Sequence, residues 1–197
     1  MLHEPLTRFL SADELAAIEA VRRAFSVDIR RTYQFWEAVV ARIVGGKLTA
    51  HKCGWDVEIE VEPAPLRIEV KYSAAFQCRF RSGTRQVFKF ADPLGRGGQK
   101  AVDALVLIGA DHESDLHAWV LPPQALNLAR SITLTSPKER RGTSTREYPL
   151  DDFACPPSQI LPEVLRAARD RTVYDREHHA QTAYATRRAR ANTPELF

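Results

Sequence analysis

The 197-residue chain has little that would staple a fold covalently or anchor it in a bilayer. Its cysteines are only three, Cys53, Cys78 and Cys155, an odd number with no CxxC spacing. That argues against both a disulfide framework and a zinc site. No apolar run approaches the roughly 20 residues that a membrane-crossing helix needs. The opening MLHEPLTRFLSADEL lacks the basic-then-apolar layout of a secretory signal. The reading therefore predicts a cytoplasmic protein with no membrane partner. Internal repeats are absent. The glycine-rich GRGG at 95–98 has neither the lysine–serine ending nor the preceding strand of a phosphate-binding P-loop, and reads as a flexible loop. His178 and His179 are adjacent and have no ligand spacing. No Ser-His-Asp arrangement can be argued. The net charge is only +3, so the overall balance decides little and its distribution matters more.

What is present is an ordinary globular composition, 44% hydrophobic and 27% charged, with length enough for one compact core. SADELAAIEAVRRAF opens with Ser11 as N-cap and Glu14 three residues on, a capping box, and Leu15, Ile18, Val21, Arg22 and Phe25 follow at helical spacing. A second helix is predicted over 29–44, with Phe35, Trp36, Val39, Val40 and Ile43 as its apolar stripe and Gly45-Gly46 as its stop. Strands are predicted at 47–53, 56–62 and 67–72. The middle one alternates strictly, with Val57, Ile59 and Val61 on one face and Asp56, Glu58 and Glu60 on the other; Pro63 and Pro65 fit the turn that follows. Residues 79–100 read as irregular and basic. DALVLIGAD is a continuous apolar run of the kind a central buried strand shows, and LHAWVLP is a second. PPQALNLARS reads as a short helix, SPKERRGTSTREYPL as a polar loop and PSQILPEVLRAA as an amphipathic helix; the chain is almost uniformly polar from Arg169. This order predicts an α/β fold with helices on both sides of a mixed sheet.

Charged residues inside the strands carry the chemistry. Asp56 projects opposite Val57 and Ile59, and Glu69 and Lys71 project opposite Ile68 and Val70. A hairpin pairing of the two strands gathers Asp56, Glu69 and Lys71 at one rim. Two carboxylates beside a lysine make a site for a hard cation with a general base or charge stabiliser next to it. Oxygen ligands suit Mg²⁺, which takes one or two protein carboxylates and leaves its other positions to water and phosphate. The plainer interpretation is a solvated strand face, since Glu-x-Lys is common on exposed strands. Glu58 and Glu60 read as an acidic surface of their strand, with membership of the site as the alternative.

Asp56, a spacer of twelve residues and then Glu69-Val70-Lys71 together resemble the signature of the PD-(D/E)XK nuclease superfamily, which includes many restriction endonucleases. That signature is an aspartate on one strand and an acid-x-lysine on the next. Trp55 stands where the signature has proline. Many members add a glutamate on the preceding helix, and Glu37 in QFWEAVVARIVGG falls at that place. The resemblance spans residues 33–73, and the strands from 103 to 121 fit the family's sheet. No QxxxY element follows Lys71, which sets the chain apart from the exonuclease-like branch. The resemblance implies a restriction-endonuclease-like fold, a central mixed β-sheet flanked by helices. It implies Mg²⁺, with Mn²⁺ as a substitute, held by Asp56, Glu69 and the Val70 carbonyl. Lys71 would orient or deprotonate the attacking water and offset charge on the phosphate. Glu37 would be an auxiliary catalytic residue.

Basic segments agree with a polyanionic substrate. Arg79, Arg81, Arg85, Lys89, Arg96 and Lys100 follow the motif, and Lys138, Arg140, Arg141 and Arg146 lie in the late loop. Such clusters contact phosphates or read guanine edges, although a charge run by itself is usually a solvated face. The expected protein is a Mg²⁺-dependent endonuclease of double-stranded DNA, site-specific and Type II-like, acting as a homodimer. Ile160, Leu161, Val164 and Leu165 form an apolar face suited to the dimer contact or to the chain's own core. The alternatives are a repair, recombination or junction-resolving nuclease of the same fold, and a catalytically silent nucleic-acid-binding module. The expected division is a nuclease domain over 1–158 and a C-terminal helix with a polar basic tail over 159–197.

Overall fold

The computed structural model describes residues 2–50, 54–80, 83–94, 102–126, 131–136 and 150–169. Helix α1 (Ala12–Phe25) begins where its capping box places it: the Glu14 N–H donates to Ser11 Oγ at 3.2 Å, and the Ser11 N–H donates to Glu14 Oε2 at 2.8 Å. Helix α2 (Tyr33–Val44) does not run on from Ile29. A 3₁₀ turn, Ile29–Arg31, precedes it, because the Asp28 carboxylate takes both the N–H and the guanidinium of Arg30, and the Thr32 hydroxyl closes on the Ile29 carbonyl. Gly45 ends the helix at φ 64°, in the left-handed region that glycine reaches without strain.

The strands are β1 (His3–Pro5), β2 (Lys47–Leu48), β3 (Val57–Ile59), β4 (Leu66–Ala74), β5 (Phe76–Phe80), β6 (Gly83–Ala91), β7 (Ala104–Ala110), β8 (Asp115–Leu121), β9 (Ser131–Thr135) and β10 (Ala154–Cys155). Among the described residues, seven of them form a mixed sheet in the order β1-β8-β7-β4-β3-β2, with β10 also paired to β8. β4 and β7 run parallel from Ile68↔Ala104 to Ala74↔Ala110, and the other pairs of this sheet are antiparallel. The apolar run of β7 is buried on both faces, as a central strand requires. The protein is thus a mixed α/β fold around a mixed central sheet.

Its layers differ from the expected ones. Helices α2 and α3 (Ile160–Arg169) cover one face, where Trp36, Val39, Val40, Ile68, Val70, Val106, Ile108, Ile160 and Val164 form one core. The other face is covered by a second sheet, β5-β6-β9, through Phe88, Phe90, Leu105, Leu107, Trp119 and Leu134. The connection from β4 to its parallel neighbour β7 therefore passes through a β-hairpin, where such crossovers are usually helical. The stretch expected to be irregular holds this hairpin, because Gln86, Phe88 and Phe90 alternate inward. The sheets meet closely at Gly109, where an added Cβ would lie 2.6 Å from the Phe88 ring. The short helix expected after Pro122 is a 3₁₀ turn, Pro123–Leu126, and a strand, β9, follows.

Ile160 and Val164 are fully buried in the first core, so the apolar stripe of α3 is spent on the chain's own interior. Ile160–Arg169 accordingly share one core with the sheet; the tail beyond them lies outside the described residues. No helix among the described residues is long and apolar enough to cross a membrane.

Candidate metal centre

β3 and β4 form the expected hairpin, in the register Val57↔Ile68, Glu58↔Arg67 and Ile59↔Leu66. Val57, Ile59, Ile68 and Val70 face the helices, so alternation turns Arg67, Glu69 and Lys71 toward the second sheet. Asp56 stands just before β3 and out of its register. Its N–H donates to the Ile68 carbonyl at 2.9 Å, and its Oδ2 accepts the Val70 N–H at 2.8 Å. The carboxylate thus replaces the strand partner that Val70 would otherwise need beyond the end of β3, and it touches the peptide joining Glu69 to Val70. The N–H and C=O of one strand residue leave by the same edge, which brings the Val70 carbonyl to this place too.

Glu69 is completely buried, and Lys71 Nζ is hydrogen-bonded to its Oε1. The lysine side chain is 28% exposed, so it spans from the interior to solvent. A buried carboxylate is costly without a cation against it, and Lys71 is one such cation. Asp56 Oδ1 has no hydrogen-bond partner among the described residues. The donor set of Asp56, Glu69 and the Val70 carbonyl is all oxygen and offers few protein ligands. It fits Mg²⁺, which keeps several waters.

Glu37 is not gathered with this pair. It is half-buried on α2, the helix that lies on the opposite face of the sheet from Glu69, with Trp36 stacked on Tyr72 at 4.7 Å. Among the described residues, the one group of three ligand atoms within 4.8 Å of one another is Asp111, Glu113 and Asp115, and not Glu37 with Asp56 and Glu69. Glu60 is exposed and bound to Lys47, whose hydrogen bond holds its carboxyl below the ordinary range. Glu58 is half-buried opposite Arg67. Arg79 and Lys89 are exposed on the β5–β6 hairpin, and Arg85 lies there with its guanidinium 5.7 Å from the Phe80 ring centre. Ser73 Oγ accepts the Lys89 N–H at 2.9 Å, which ties this hairpin to β4 two residues beyond Lys71. Arg81, Arg96, Lys100, Lys138, Arg140, Arg141 and Arg146 lie outside the described residues.

Two groupings escaped the sequence reading. Asp111, Glu113 and Asp115 shape the turn between β7 and β8: Asp111 Oδ1 accepts the N–H groups of Glu113 and Asp115, Oδ2 lies 3.1 Å from His117 Nε2, and Asp115 meets His3 at 2.9 Å. DHESD directly after an apolar run is the signal that was there to read. The other is Arg67, whose guanidinium lies 4.3 Å over the ring of Trp55. No protein-family model matches the chain, and no curated protein matches it.

Proposed function

We propose that this protein is a Mg²⁺-dependent DNA endonuclease with a restriction-endonuclease-like fold, site-specific and Type II-like, acting as a homodimer on duplex DNA. The observation that carries the reading is the Asp56 carboxylate seated on the Glu69–Val70 peptide, with Lys71 against the buried Glu69. Asp56, Glu69 and the Val70 carbonyl would hold the cation. When bound, Mg²⁺ supplies charge neutralisation at the phosphodiester and makes water a stronger acid. Lys71 holds the attacking water in line with the scissile bond and sets its positive charge against the phosphate oxygens. Asp56 and Glu69 orient the reacting groups through fixed backbone and side-chain contacts. Arg79, Arg85 and Lys89 on the adjoining hairpin add sequence-independent attraction for the DNA backbone. The basic segment around Arg140 and Arg141 is assigned to base reading.

Incubation with plasmid and phage DNA in Mg²⁺, followed by sequencing of the ends, tests this. The expected result is cleavage at one short sequence, with Ca²⁺ supporting binding but not cutting. Cleavage confined to branched DNA would move the protein to junction resolution or repair. No cleavage of any DNA in Mg²⁺ or Mn²⁺ would overturn the reading.

A further inference from the structure

Beside the carboxylate pair, two buried N–H donors have no partner among the described residues: Trp55 Nε1 and Arg67 Nε. The two side chains are in contact, since the guanidinium carbon sits over the indole, 4.3 Å from its centroid. Trp55 immediately precedes Asp56. Arg67 is on β4 two residues before Glu69 and on the same face, so the two side chains leave the strand about 7 Å apart. The Arg67 backbone is pinned from the β7 side: its N–H donates to Asp103 Oδ2 at 2.9 Å, and its carbonyl accepts the Asp103 N–H at 2.7 Å. Glu58 is its direct neighbour on β3, yet the guanidinium is turned over the indole and forms no ion pair with a carboxylate among the described residues.

Buried donors left without acceptors are unfavourable and rare, and they point to an acceptor that arrives from outside. A guanidinium held over an aromatic ring is oriented before binding, and its fork of N–H groups matches the oxygens of a phosphate. We propose that Trp55 and Arg67 form a phosphate subsite that takes a backbone phosphodiester next to the one placed at Asp56 and Glu69. This rests on the nuclease reading and deepens it. The subsite fixes the register of the strand on the metal centre, and Arg67 is a positioning residue rather than a catalytic one.

The test uses Arg67→Met, which keeps a long side chain over the indole without its charge, and Arg67→Lys, which restores charge without the fork. Affinity for a duplex carrying the cleavage site is measured by anisotropy in Ca²⁺ over a range of salt, alongside single-turnover cleavage in Mg²⁺. Arg67→Met is expected to bind about tenfold more weakly and to lower the slope of log affinity against log salt by about one. At saturating DNA its single-turnover cleavage rate should still fall, by about tenfold, because a strand out of register misplaces the scissile phosphate. Arg67→Lys should recover the slope but only part of the affinity. If Arg67→Met does not fold, Trp55→Phe carries the test: loss of the indole N–H should weaken binding while leaving the slope unchanged. Unchanged affinity and slope in variants of a protein that binds and cuts DNA would overturn the subsite and leave the nuclease reading standing. A wild-type protein that neither binds nor cuts DNA would remove both.

Discussion

Lys71 has two duties that one substitution removes together. It compensates the buried charge of Glu69, and breaking a buried pair by removing one partner typically costs about 3–5 kcal/mol. It also stands where charge builds in the proposed reaction. Lys71→Ala should therefore lower the melting temperature and cut single-turnover cleavage by more than about 100-fold. The dissociation constant for DNA in Ca²⁺ should move by less than about tenfold, or about 1.4 kcal/mol, because such contacts strengthen mainly in the transition state. Full rescue of the rate at saturating DNA would make Lys71 a binding residue only. Asp56 also has a structural duty, holding the Val70 N–H at 2.8 Å. Asp56→Asn keeps an acceptor there, whereas Asp56→Ala strands the donor at about 1–3 kcal/mol. Denaturant unfolding should show the alanine variant alone losing stability, while both lose cleavage; equal stability would deny the backbone contact its role. Burial pushes the Cys155 thiol up to about 12. Mass mapping after brief thiol labelling at neutral pH should find the half-buried Cys78 modified well before Cys155.

At the scale of elements, α1 and α2 are joined through one residue of the capping box. Arg42 bonds the Glu14 carboxylate at 2.6 and 2.9 Å, and this, with the Ser11 backbone N–H, pulls the carboxyl down to about 2. A carboxyl lowered on folding adds stability above its unfolded value of 4.5, and that contribution is lost as pH falls from there toward 2. The pair is exposed, so salt should weaken it. Acid titration by circular dichroism should show Glu14→Gln with a flatter loss of stability over this window; a curve of unchanged steepness would contradict the link. Gly109→Ala would press a methyl into the Phe88 ring and should cost about 1–3 kcal/mol by denaturant unfolding, through displacement of the second sheet. Much of this scale was legible in the sequence. The capping box, the β3–β4 hairpin and the central strand β7 follow from side-chain types at fixed spacing. The covering of the second face was not, because DALVLIGAD says that both faces of β7 are buried but not by what. The alternation of β6 was hidden between glycines and a proline. At the candidate site, Asp56, Glu69 and Lys71 could be picked out by type and distance along the chain. Glu37 could not be placed, since tertiary contacts decide which face of the sheet α2 covers. Arg67 was hidden among the acids of the hairpin, where an arginine reads as one more surface charge.

Across the whole molecule, a net charge of +3 conceals segments that are strongly basic. Arg140→Glu combined with Arg141→Glu should weaken DNA binding, flatten its salt dependence and relax sequence preference. An unchanged slope would place the DNA surface elsewhere. The proposal as a whole turns on whether the two carboxylates hold a cation that makes the chain cut DNA. Asp56→Asn asks this most directly, because it removes a charge and a ligand while leaving an acceptor for the Val70 N–H. The measurement is cleavage of supercoiled plasmid by wild type and Asp56→Asn, purified in parallel, across a Mg²⁺ titration, with circular dichroism and Ca²⁺-supported DNA binding followed on the same samples. The account predicts Mg²⁺-dependent cutting by the wild type, and a loss of at least about 100-fold in the variant, with fold and Ca²⁺-supported binding retained. Equal Mg²⁺-dependent cutting by the two proteins would contradict it.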